Sequence, residues 1–488
     1  MIENRLTYLL QGLEYFAVQG DINIHISGIA FDSREVKEGF LFVAVKGTLT
    51  DGHKYISQAI ENGCRAIVCE EMPAKVSSDP VYITVGDSAR FLGLLASAFY
   101  RHPSRSLKVV GVTGTNGKTT IAGLLHALAL KLGFEAGLIS TVGNKINEEI
   151  LAATHTTPDP VKINHLMHQM TERGCTFCFM EVSSHAVHQQ RIAGLHFAGG
   201  IFTNLTHDHL DYHGTFKNYL EAKKKFFDDL PPDAFALVNS DDKNGLVMIQ
   251  NTRATKKTYA LRKSADYKAK IIESHYEGSL LTINRKEVWI KLPGLFNAYN
   301  LLAVYGAASL LALDDDQVLE GLSSLQHVPG RFDILRASNG TTAVIDYAHT
   351  PDALLNVLST INGLRKGSER IITLVGAGGN RDTAKRPVMA RTAVEQSDIV
   401  ILTSDNPRNE KPDDILNDML KGVPEGTTVQ VICITSRADA IKTACMLAKD
   451  NDVILVAGKG HETYQEVEGV RYHFDDKEHI LRNFNQMV

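Results

Sequence analysis

A glycine-rich segment with a lysine, residues 111–120, has the residue types of a phosphate-binding loop. It lies between a short apolar run at 107–110 and a run with helical apolar spacing at 121–132. A turn between a strand and a helix points backbone N–H groups and a helix N-terminus at one place, which suits a phosphate. Lys118 can then reach the terminal phosphates of a nucleotide, and the Thr119 hydroxyl can bind Mg²⁺. The segment predicts ATP or GTP binding.

The segment departs from the usual pattern of phosphate-binding loops at its first glycine. Val112 holds that place, with Gly111 one residue early and Gly114 inside the loop. The alternative is a glycine-rich turn that binds nothing, but the order of strand, loop, Gly-Lys-Thr and helix favours a nucleotide. The motif does not indicate what the nucleotide is used for.

Acidic and histidine side chains follow two further predicted strands. Glu181 ends the run at 177–182, and the run at 200–204 leads into a loop at 205–213 that is dense in histidine and aspartate. Ligands of open parallel sheets bind at the carboxyl ends of the strands, so Glu181 is expected to face residues 111–120 and to bind Mg²⁺ directly or through water. Histidines and carboxylates this dense directly after a strand indicate metal or phosphate chemistry for the loop at 205–213. The alternative is a solvated, histidine-rich loop without a ligand.

Lys223 is predicted to lie on the apolar face of a helix. Tyr219 and Leu220 precede it by one turn and Phe226 and Phe227 follow it, whereas Lys225 has Glu221 and Asp228 as helical neighbours. An inward lysine is costly unless its charge is removed or paired, and two adjacent lysines favour the neutral amine. A lysine whose stem packs while its amine reaches water fits the pattern equally well.

The last third of the chain alternates strands and helices and ends several strands in polar residues. Asp346, the segment 405–408 and the segment 458–462 all follow predicted strands and are expected at one sheet edge. The glycines at 376–379 resemble a dinucleotide fingerprint, but Arg381 holds its last glycine place, so we reject that interpretation.

Length and composition indicate a globular protein of about three domains. The 488 residues are 44% hydrophobic and 22% charged, and the formal charge of −5 argues against nucleic acid as an obligate partner. The N-terminus has no apolar signal core and no stretch reaches the length of a membrane span, so we expect a cytoplasmic protein. The six cysteines are expected as reduced thiols, with Cys175 and Cys178 in a strand rather than a zinc site.

The pattern predicts an α/β fold with three domains. Residues 1–106 are expected to form a small α/β domain, with a half-buried strand through Ile22, Ile24 and Ile26, a helix at 55–63 and a strand at 66–69. Residues 107–332 are expected to form a central ATPase-type parallel sheet, and residues 333–488 a Rossmann-like domain. The segment 101–105 has the composition of a linker.

Taken together, the motifs resemble the Mur ligase family over nearly the whole chain. The residues that carry the resemblance are, in order, Gly114-Thr-Asn-Gly-Lys-Thr-Thr, Glu181-Val-Ser-Ser-His, His207-Asp-His-Leu-Asp, Tyr219-x-x-Ala-Lys223, Phe296-Asn-x-x-Asn300, Pro329-Gly-Arg331 and Asp346-Tyr-Ala-His349. Each motif alone is weak, and the combination is highly specific.

The resemblance implies an ATP-dependent, amide-forming ligase of peptidoglycan synthesis that produces ADP through an acyl phosphate. Asp405-Asn406-Pro407-Arg408 is similar to the motif of members that add meso-2,6-diaminopimelate to UDP-N-acetylmuramoyl-L-alanyl-D-glutamate. The alternatives are a lysine-adding or a folylpolyglutamate-type sister ligase. A P-loop switch or assembly protein is a third hypothesis, which predicts nucleotide binding without acceptor-dependent ADP release. The implied role is in cell wall biogenesis, cell shape and cell division.

The resemblance also implies three groups of binding residues. The ATP-binding group comprises Gly114, Thr115, Asn116, Gly117, Lys118, Thr119, Thr120, Asn297, Arg331 and Asp346. The UDP-substrate group comprises Ser33, Thr156, Thr157, Ser183, Gln189 and Arg191, with Thr48, Leu49 and Thr50 at a variable uridine-loop position. The diaminopimelate group comprises Arg381, Asp405, Asn406, Pro407, Arg408, Gly458 and Glu462. Where the family usually has Asn before the two threonines, this chain has His155.

For catalysis, the resemblance implies roles for Lys118, Glu181, His209 and Lys223. Lys223 matches a lysine that CO₂ converts to a carbamate, and Thr119, Glu181, His209 and the Lys223 carbamate are expected to hold Mg²⁺. The expected partners are the small-molecule substrates alone, with no nucleic acid and no membrane span, and we expect a monomer.

Overall fold

The structure is a computed structural model that describes residues 4–47, 50–74, 76, 79–152, 155–367 and 369–485. Within these residues the strands form three main sheets that follow one another along the chain, and a separate two-stranded hairpin. Each main sheet is covered by helices, so the fold is mixed α/β and the predicted class is confirmed. Among the described helices, none combines the length and the apolar character needed to cross a bilayer.

The N-terminal sheet is small and mostly parallel. In the described part of the chain its order is β1-β5-β4-β3-β2, and β1 alone runs antiparallel to its neighbour. Its strands are β1 (Ala17–Gln19), β2 (Gly28–Ala30), β3 (Phe40–Val43), β4 (Ala66–Cys69) and β5 (Val81–Thr84). Its helices are α1 (Leu6–Leu9), α2 (Ile56–Glu61) and α3 (Ser88–Phe99), with 3₁₀ turns at Ser33–Glu35, Gly52–Tyr55 and Pro103–Arg105.

Two local predictions for this region were wrong in detail. The isoleucines at 22–26 do not form a strand, because the backbone there pairs only through an isolated bridge between Arg5 and His25. Ile26 is nevertheless fully buried, so the alternation of isoleucines with polar residues reflects burial and not pairing in a sheet. The helix expected at 55–63 is the shorter α2, preceded by a 3₁₀ turn.

The central sheet carries the predicted phosphate-binding loop. Its order in the described residues is β16-β15-β14-β13-β12-β11-β6-β10-β7-β8-β9, with parallel pairing from β14 to β7 and antiparallel hairpins at both ends. The strands are β6 (Lys108–Thr113), β7 (Ala136–Ile139), β8 (Asn144–Ile146), β9 (Glu149–Leu151), β10 (Phe177–Glu181), β11 (Gly199–Phe202), β12 (Phe235–Asn239), β13 (Thr255–Ala260), β14 (Tyr267–His275), β15 (Gly278–Ile283) and β16 (Lys286–Ile290).

Helices cover both faces of this sheet and bury two apolar clusters. They are α4 (Lys118–Lys131), α5 (Pro160–Glu172), α6 (Ser184–His188), α7 (Leu210–His213), α8 (Phe216–Asp228), α9 (Gly245–Met248), α10 (Leu295–Leu310) and α11 (Asp315–Ser324). The helix α8 begins after Thr215, whose side chain accepts a hydrogen bond from the Asn218 N–H, as N-cap threonines do.

The C-terminal sheet is parallel apart from its first strand, and its order is β17-β18-β22-β19-β20-β21. The strands are β17 (Asp333–Arg336), β18 (Thr342–Asp346), β19 (Ile371–Ala377), β20 (Ile399–Ser404), β21 (Gln430–Ile434) and β22 (Val453–Ala457), and the hairpin is β23 (Tyr464–Val467) with β24 (Val470–His473). The helices are α12 (Pro351–Leu364), α13 (Lys385–Gln396), α14 (Pro412–Leu420), α15 (Arg437–Leu447) and α16 (Asp476–Phe484).

The cysteine pair lies at the start of a central strand. Cys178 belongs to β10 and Cys175 precedes it, and both are free and buried. Burial raises the pKa of the Cys175 thiol to about 11 and that of Cys178 further. Such thiols are protonated and inert at neutral pH, in keeping with the predicted strand role.

Candidate active site

The nucleotide loop, residues 114–120, joins the end of β6 to the start of α4. Gly114 has φ of 150° and a Cβ there would lie 1.8 Å from the Thr203 hydroxyl oxygen, so no larger residue fits. Gly117 has φ of 90° directly before the helix. Val112 and Gly111 both belong to β6, where Gly111 packs against Phe226. The departure from the usual glycine pattern therefore falls in the strand and not in the loop.

Two lysines meet on the main chain of the nucleotide loop. The Lys118 ammonium donates to the carbonyls of Gly114 and Thr115 at 3.0 and 2.8 Å. The Lys223 amine, from α8, donates to the same Gly114 carbonyl at 2.8 Å. Both lysine heads thus lie where the phosphates of a nucleotide would sit against the N-terminus of α4.

Lys223 lies on the buried face of α8, as its spacing predicted. Its side chain is buried with Tyr219, and burial first and the charge of Lys118 second hold its pKa well below the usual lysine value. The sequence neighbours are not the cause, because Lys224 pairs with Asp228 and Lys225 with Asp229 at 2.6 and 2.8 Å. The structure therefore favours the neutral amine through burial, as predicted, and through the charge of the distant Lys118 rather than that of the adjacent lysines.

Glu181 is fully buried at the end of β10 and faces the nucleotide loop. Its Oε1 accepts from the Ser140 hydroxyl at 2.7 Å and from the Thr141 N–H at 2.8 Å. Its Oε2 accepts from the Thr119 hydroxyl at 3.0 Å. Ionised carboxylates accept about four hydrogen bonds, so lone pairs remain for a cation beside Thr119.

His209 lies in the loop at 205–213 and lines the same cleft as Glu181. Its Nε2 is 3.4 Å from the Asp208 carboxylate, and its ring meets the Tyr219 ring edge-on with centroids 6.2 Å apart. Across the described chain, no group of three or more His, Cys, Asp or Glu side chains is arranged to hold a metal ion. The predicted metal site has only Glu181 and His209 of these types, and its other members are Thr119 and Lys223.

Arg331 connects the nucleotide loop to the C-terminal sheet. Its Nη2 donates to the Thr119 hydroxyl at 3.0 Å, and its guanidinium lies over the Tyr347 ring at 4.5 Å. Asp346, at the end of β18, accepts from the Phe332 N–H at 2.7 Å. Burial raises the pKa of Asp346 to about 6, although Arg331 opposes the shift.

Asn297 and Asn300 lie one turn apart in α10. Asn297 is buried, and its amide donates to the Pro293 carbonyl at 2.8 Å. Asn300 lines the cleft, and its Oδ1 lies 2.7 Å from where a Cβ on Gly117 would be. The Asn300 amide donates to the Asn297 amide oxygen at 3.4 Å, so Asn297 orients the asparagine that lines the cleft.

Five of the six residues predicted for the UDP substrate form one network beside Glu181. Arg191 donates to the Thr157 carbonyl at 2.8 Å and to the Gln189 amide oxygen at 2.6 Å. The Thr157 hydroxyl donates to the Glu181 carbonyl at 2.7 Å and accepts from the Ser183 N–H at 3.2 Å. The Thr156 hydroxyl accepts from Thr141 at 2.9 Å. The network is therefore anchored to the strand that carries Glu181.

Ser33, the sixth residue, belongs to the N-terminal sheet and does not line the cleft. Its hydroxyl donates to the Gln58 amide oxygen at 2.7 Å. Thr48 and Leu49 of the expected uridine loop lie outside the described residues.

The acceptor cluster comprises Arg381, Asp405, Asn406, Arg408, Gly458 and Glu462, all from loops at the carboxyl edge of the C-terminal sheet. The Asn406 amide donates to Glu462 Oε2 at 2.7 Å, and the Tyr347 hydroxyl donates to Glu462 Oε1 at 3.3 Å. Arg408 donates to the Gly379 carbonyl at 2.8 Å. Pro407 is buried in the same loop and does not line the cleft. Arginine forks suit carboxylates and Glu462 suits an ammonium, which fits an amino acid.

One cleft of about 830 Å³ connects these groups. The nucleotide loop, Glu181 and Lys223 line one side, and the acceptor cluster lines the other. The two sides also touch directly, since Asn116 donates to the Asp352 carboxylate at 2.9 Å and His207 lies 3.3 Å from Asp382.

Sequence reasoning missed several cleft residues, among them His349, Lys385 and Asp352. His349 belongs to the motif at 346–349 but has no assigned role there, and no local pattern singles out Lys385 or Asp352. Lys459, fully buried under the acceptor cluster, was also missed. The sequence could have identified Lys459 as a candidate, because it lies between Gly458 and Gly460 directly after a strand, where parallel sheets bind ligands.

Comparison with protein families identifies three consecutive matches. The models described as Mur ligase family, catalytic domain; Mur ligase middle domain; and Mur ligase, glutamate ligase domain match residues 25–100, 112–308 and 330–460. A curated protein of Parabacteroides distasonis is 58% identical over 477 residues, which are 98% of each chain. The chain belongs to the Mur ligase family.

The Parabacteroides distasonis relative of this Mur ligase is named UDP-N-acetylmuramoyl-L-alanyl-D-glutamate–2,6-diaminopimelate ligase. A solved structure described by the same name matches with a TM-score of 0.71 and 30% identity, covering 100% of this chain and 99% of the other. A MurF ligase of Thermotoga maritima in complex with ADP matches with a TM-score of 0.62 and 21% identity over 94% of this chain and 97% of the other. The predicted family and three-part α/β architecture are confirmed.

Proposed function

We propose that this Mur ligase joins meso-2,6-diaminopimelate to the D-glutamate of UDP-N-acetylmuramoyl-L-alanyl-D-glutamate, with cleavage of ATP to ADP and phosphate. The observation that carries the proposal is the shared cleft, in which phosphate-binding lysines face a cluster suited to an amino acid. The names of its relatives give the same reaction.

The nucleotide and the UDP substrate meet beside Glu181. The nucleotide loop binds the ATP phosphates through its N–H groups and Lys118. Arg331 and Asp346 contact the nucleotide from the C-terminal side of the cleft. The network of Thr157, Ser183 and Arg191 holds the peptide end of the substrate against the same strand. Ser33 places the other end of the substrate on the N-terminal sheet.

In the first step, an oxygen of the D-glutamate γ-carboxylate attacks the γ-phosphorus of ATP. The bond from that phosphorus to the ADP oxygen breaks, and an acyl phosphate and ADP form. Two anions approach each other in this step, so the cationic Lys118 stabilises the charge that gathers on the phosphoryl oxygens.

The residues present fit Mg²⁺ and a carbamate, as the oxygen donors around Thr119 and the neutral Lys223 amine indicate. Thr119, Glu181, His209 and Lys223 as its carbamate are the residues that would hold the metal. When bound, Mg²⁺ supplies further positive charge to the phosphoryl oxygens. The amine of Lys223 can take up CO₂ because it is neutral, and a nitrogen–carbon bond then replaces an N–H with release of a proton.

In the second step, the amine of diaminopimelate attacks the carbonyl carbon of the acyl phosphate. The carbon–oxygen bond to phosphate breaks, the amide forms, and the nitrogen loses a proton. Glu462, held by a hydrogen bond from the Asn406 amide, receives an ammonium group of the acceptor, and Arg408 and Arg381 receive its carboxylates. Lysine lacks one of these carboxylates, so the arginines favour diaminopimelate.

The contacts across the cleft protect the acyl phosphate from water. The Asn116–Asp352 hydrogen bond and the His207–Asp382 pair bring the C-terminal sheet over the nucleotide loop. A closed cleft excludes the solvent that would hydrolyse the intermediate.

We propose domain boundaries at 106/107 and 332/333, and the division of the strands among the three sheets supports them. We propose a cytoplasmic monomer, and light scattering of the pure protein tests the monomer.

The test is reconstitution with ATP, the UDP-dipeptide substrate and either meso-diaminopimelate or L-lysine. We expect an amide product of the expected mass with diaminopimelate, and little with lysine. A preference for lysine or for a folate acceptor would support a sister ligase, and ADP release that does not depend on any acceptor would support a P-loop switch. Either result contradicts the proposal.

A further inference from the structure

A buried lysine lies directly beneath the acceptor cluster. Lys459 follows β22 between two glycines, and its side chain is 0% exposed. Its ammonium donates to Asn406 Oδ1 and to Glu462 Oε2, each at 3.2 Å, and to the Tyr464 carbonyl. An ammonium has three donors, so all of them are used within the protein. Lys459 is therefore fixed in place and fully paired.

These contacts determine which way the Asn406 amide faces. Its oxygen accepts from Lys459 and from the Glu466 N–H, the latter at 2.9 Å. With the oxygen held by two donors, the amide nitrogen must point the other way, where it donates to Glu462. Removal of Lys459 takes away one of the two donors that hold this orientation.

Lys459 also balances the charge around Glu462. Burial raises the pKa of Glu462, the nearby Asp405 carboxylate adds to the rise, and Lys459 opposes both. The titratable and charged groups that face Glu462 are Asp405, Lys459, Tyr347, Tyr464 and Arg437.

Arg437 does not replace Lys459 in this balance. It is fully buried in an ion pair with Asp476, at 2.7 Å, so its charge is already matched. Lys459 is thus the positive charge in ion-pair contact with both Asp405 and Glu462, at 3.9 and 3.2 Å.

We propose that Lys459 is a positioning residue for the acceptor, which holds Asn406 and Glu462 in their binding arrangement and places its positive charge beside the carboxylate that receives the acceptor ammonium. The inference rests on the proposed function and adds a residue to its acceptor site. A lysine that only filled space would be replaced without loss by methionine, which has a similar length and no charge.

The experiment compares Lys459→Met and Lys459→Arg with the wild-type protein. The KM values for diaminopimelate, ATP and the UDP substrate are measured across the neutral pH range. We expect Lys459→Met to raise the KM for diaminopimelate roughly tenfold and to leave the other two KM values unchanged. Lys459→Arg keeps the charge and should restore part of the affinity.

The pH profile separates a charge effect from a packing effect. The acceptor needs ionised Glu462, so its KM rises as the pH falls through the pKa of that carboxyl. Without Lys459 the pKa of Glu462 is higher, so the rise begins at a pH about one unit higher in Lys459→Met. A loss of packing alone would raise the KM equally at every pH.

Arg370→Met is the matched control. Arg370 pairs with Asp452 at 2.6 Å near the opposite edge of the same sheet, and Asp452 is nearly fully buried. This variant should lower the melting temperature and leave the acceptor KM and its pH profile unchanged.

The inference is overturned if Lys459→Met folds and keeps the wild-type acceptor KM and pH profile. If Lys459→Met does not fold, Lys459→Arg decides: a change in the acceptor KM alone supports the inference, and no change or equal changes for all three substrates contradict it. A wild-type protein that forms no acceptor-dependent amide would instead refute the proposed function.

Discussion

The nucleotide loop and the acceptor cluster hold their cations in different ways. Lys118 and Lys223 both donate to main-chain carbonyls, which any sequence would supply. Lys459 donates to the side chains of Asn406 and Glu462 as well as to a carbonyl. The lysines of the nucleotide side are thus held by backbone carbonyls, whereas Lys459 on the acceptor side depends on two particular side chains.

This difference separates the general part of the reaction from the selective part. A phosphate is recognised through N–H groups, a helix terminus and a lysine, so the nucleotide loop needs glycines more than it needs specific neighbours. An amino acid with several charges is recognised through paired side chains, whose replacement changes selectivity. We therefore expect nucleotide-side variants to lower kcat and acceptor-side variants to change the acceptor KM.

The largest effect is expected for Lys118→Met. Removing the charge that faces the phosphoryl oxygens should lower kcat roughly 10³-fold, with an unchanged KM for diaminopimelate. Steady-state ADP release at saturating acceptor measures the loss. An equal rise in the acceptor KM would show that the two sides of the cleft are not separable in this way.

Lys223→Ala should lower kcat roughly a hundredfold, because the amine that forms the carbamate is lost. A small added carboxylic acid should restore part of the rate, since it can occupy the vacated space as an anion. Lys225→Ala is the control on the same helix, where the exposed Lys225 pairs with Asp229. A fully active Lys223→Ala protein would show that the reaction does not need a carbamate on Lys223.

Arg408→Ala should act on the acceptor side alone. Loss of a charged hydrogen bond to a carboxylate costs about 2 kcal/mol, so kcat/KM for diaminopimelate should fall roughly thirtyfold. The rate with L-lysine should change less, which narrows the preference between the two acceptors. Competition between the two amines, followed by mass spectrometry, gives the ratio directly, and an unchanged ratio would contradict the assigned role.

The smallest effect is expected for Asp352→Ala, which removes the hydrogen bond from Asn116 across the cleft. Because the bond is one of several contacts between the two sides, kcat should fall about threefold. The fraction of acyl phosphate lost to water should rise, measured as ADP formed in excess of amide. Unchanged coupling would show that this contact does not help to close the cleft.

Local patterns predicted the nucleotide side well. The order of strand, glycines, lysine and helix placed Lys118 and Thr119 at the helix start, and helical spacing placed Lys223 on the buried face of α8. The like charge that acts on Lys223 was misjudged, because Lys118 approaches it from a distant part of the sequence. Spacing along one helix contains no information about such tertiary neighbours.

The acceptor side was less accessible to sequence reasoning. The motif at 405–408 was found by resemblance, but Lys459 and Asp352 act through contacts between separate loops. Spacing along the sequence also cannot decide between Asn297 and Asn300. The two asparagines lie one turn apart on the same face of α10, and only packing determines which one lines the cleft. The alternation of the isoleucines at 22–26 likewise indicates burial but not that, among the described residues, only an isolated bridge pairs this segment.

The central claim is that the nucleotide on one side of the cleft activates a carboxyl group for an amine held on the other. The most direct measurement is the ratio of ADP to amide product with both substrates and diaminopimelate present. The account predicts one amide for each ADP, and almost no sustained ADP release without the amine. Continued ADP release with no joined product would contradict it.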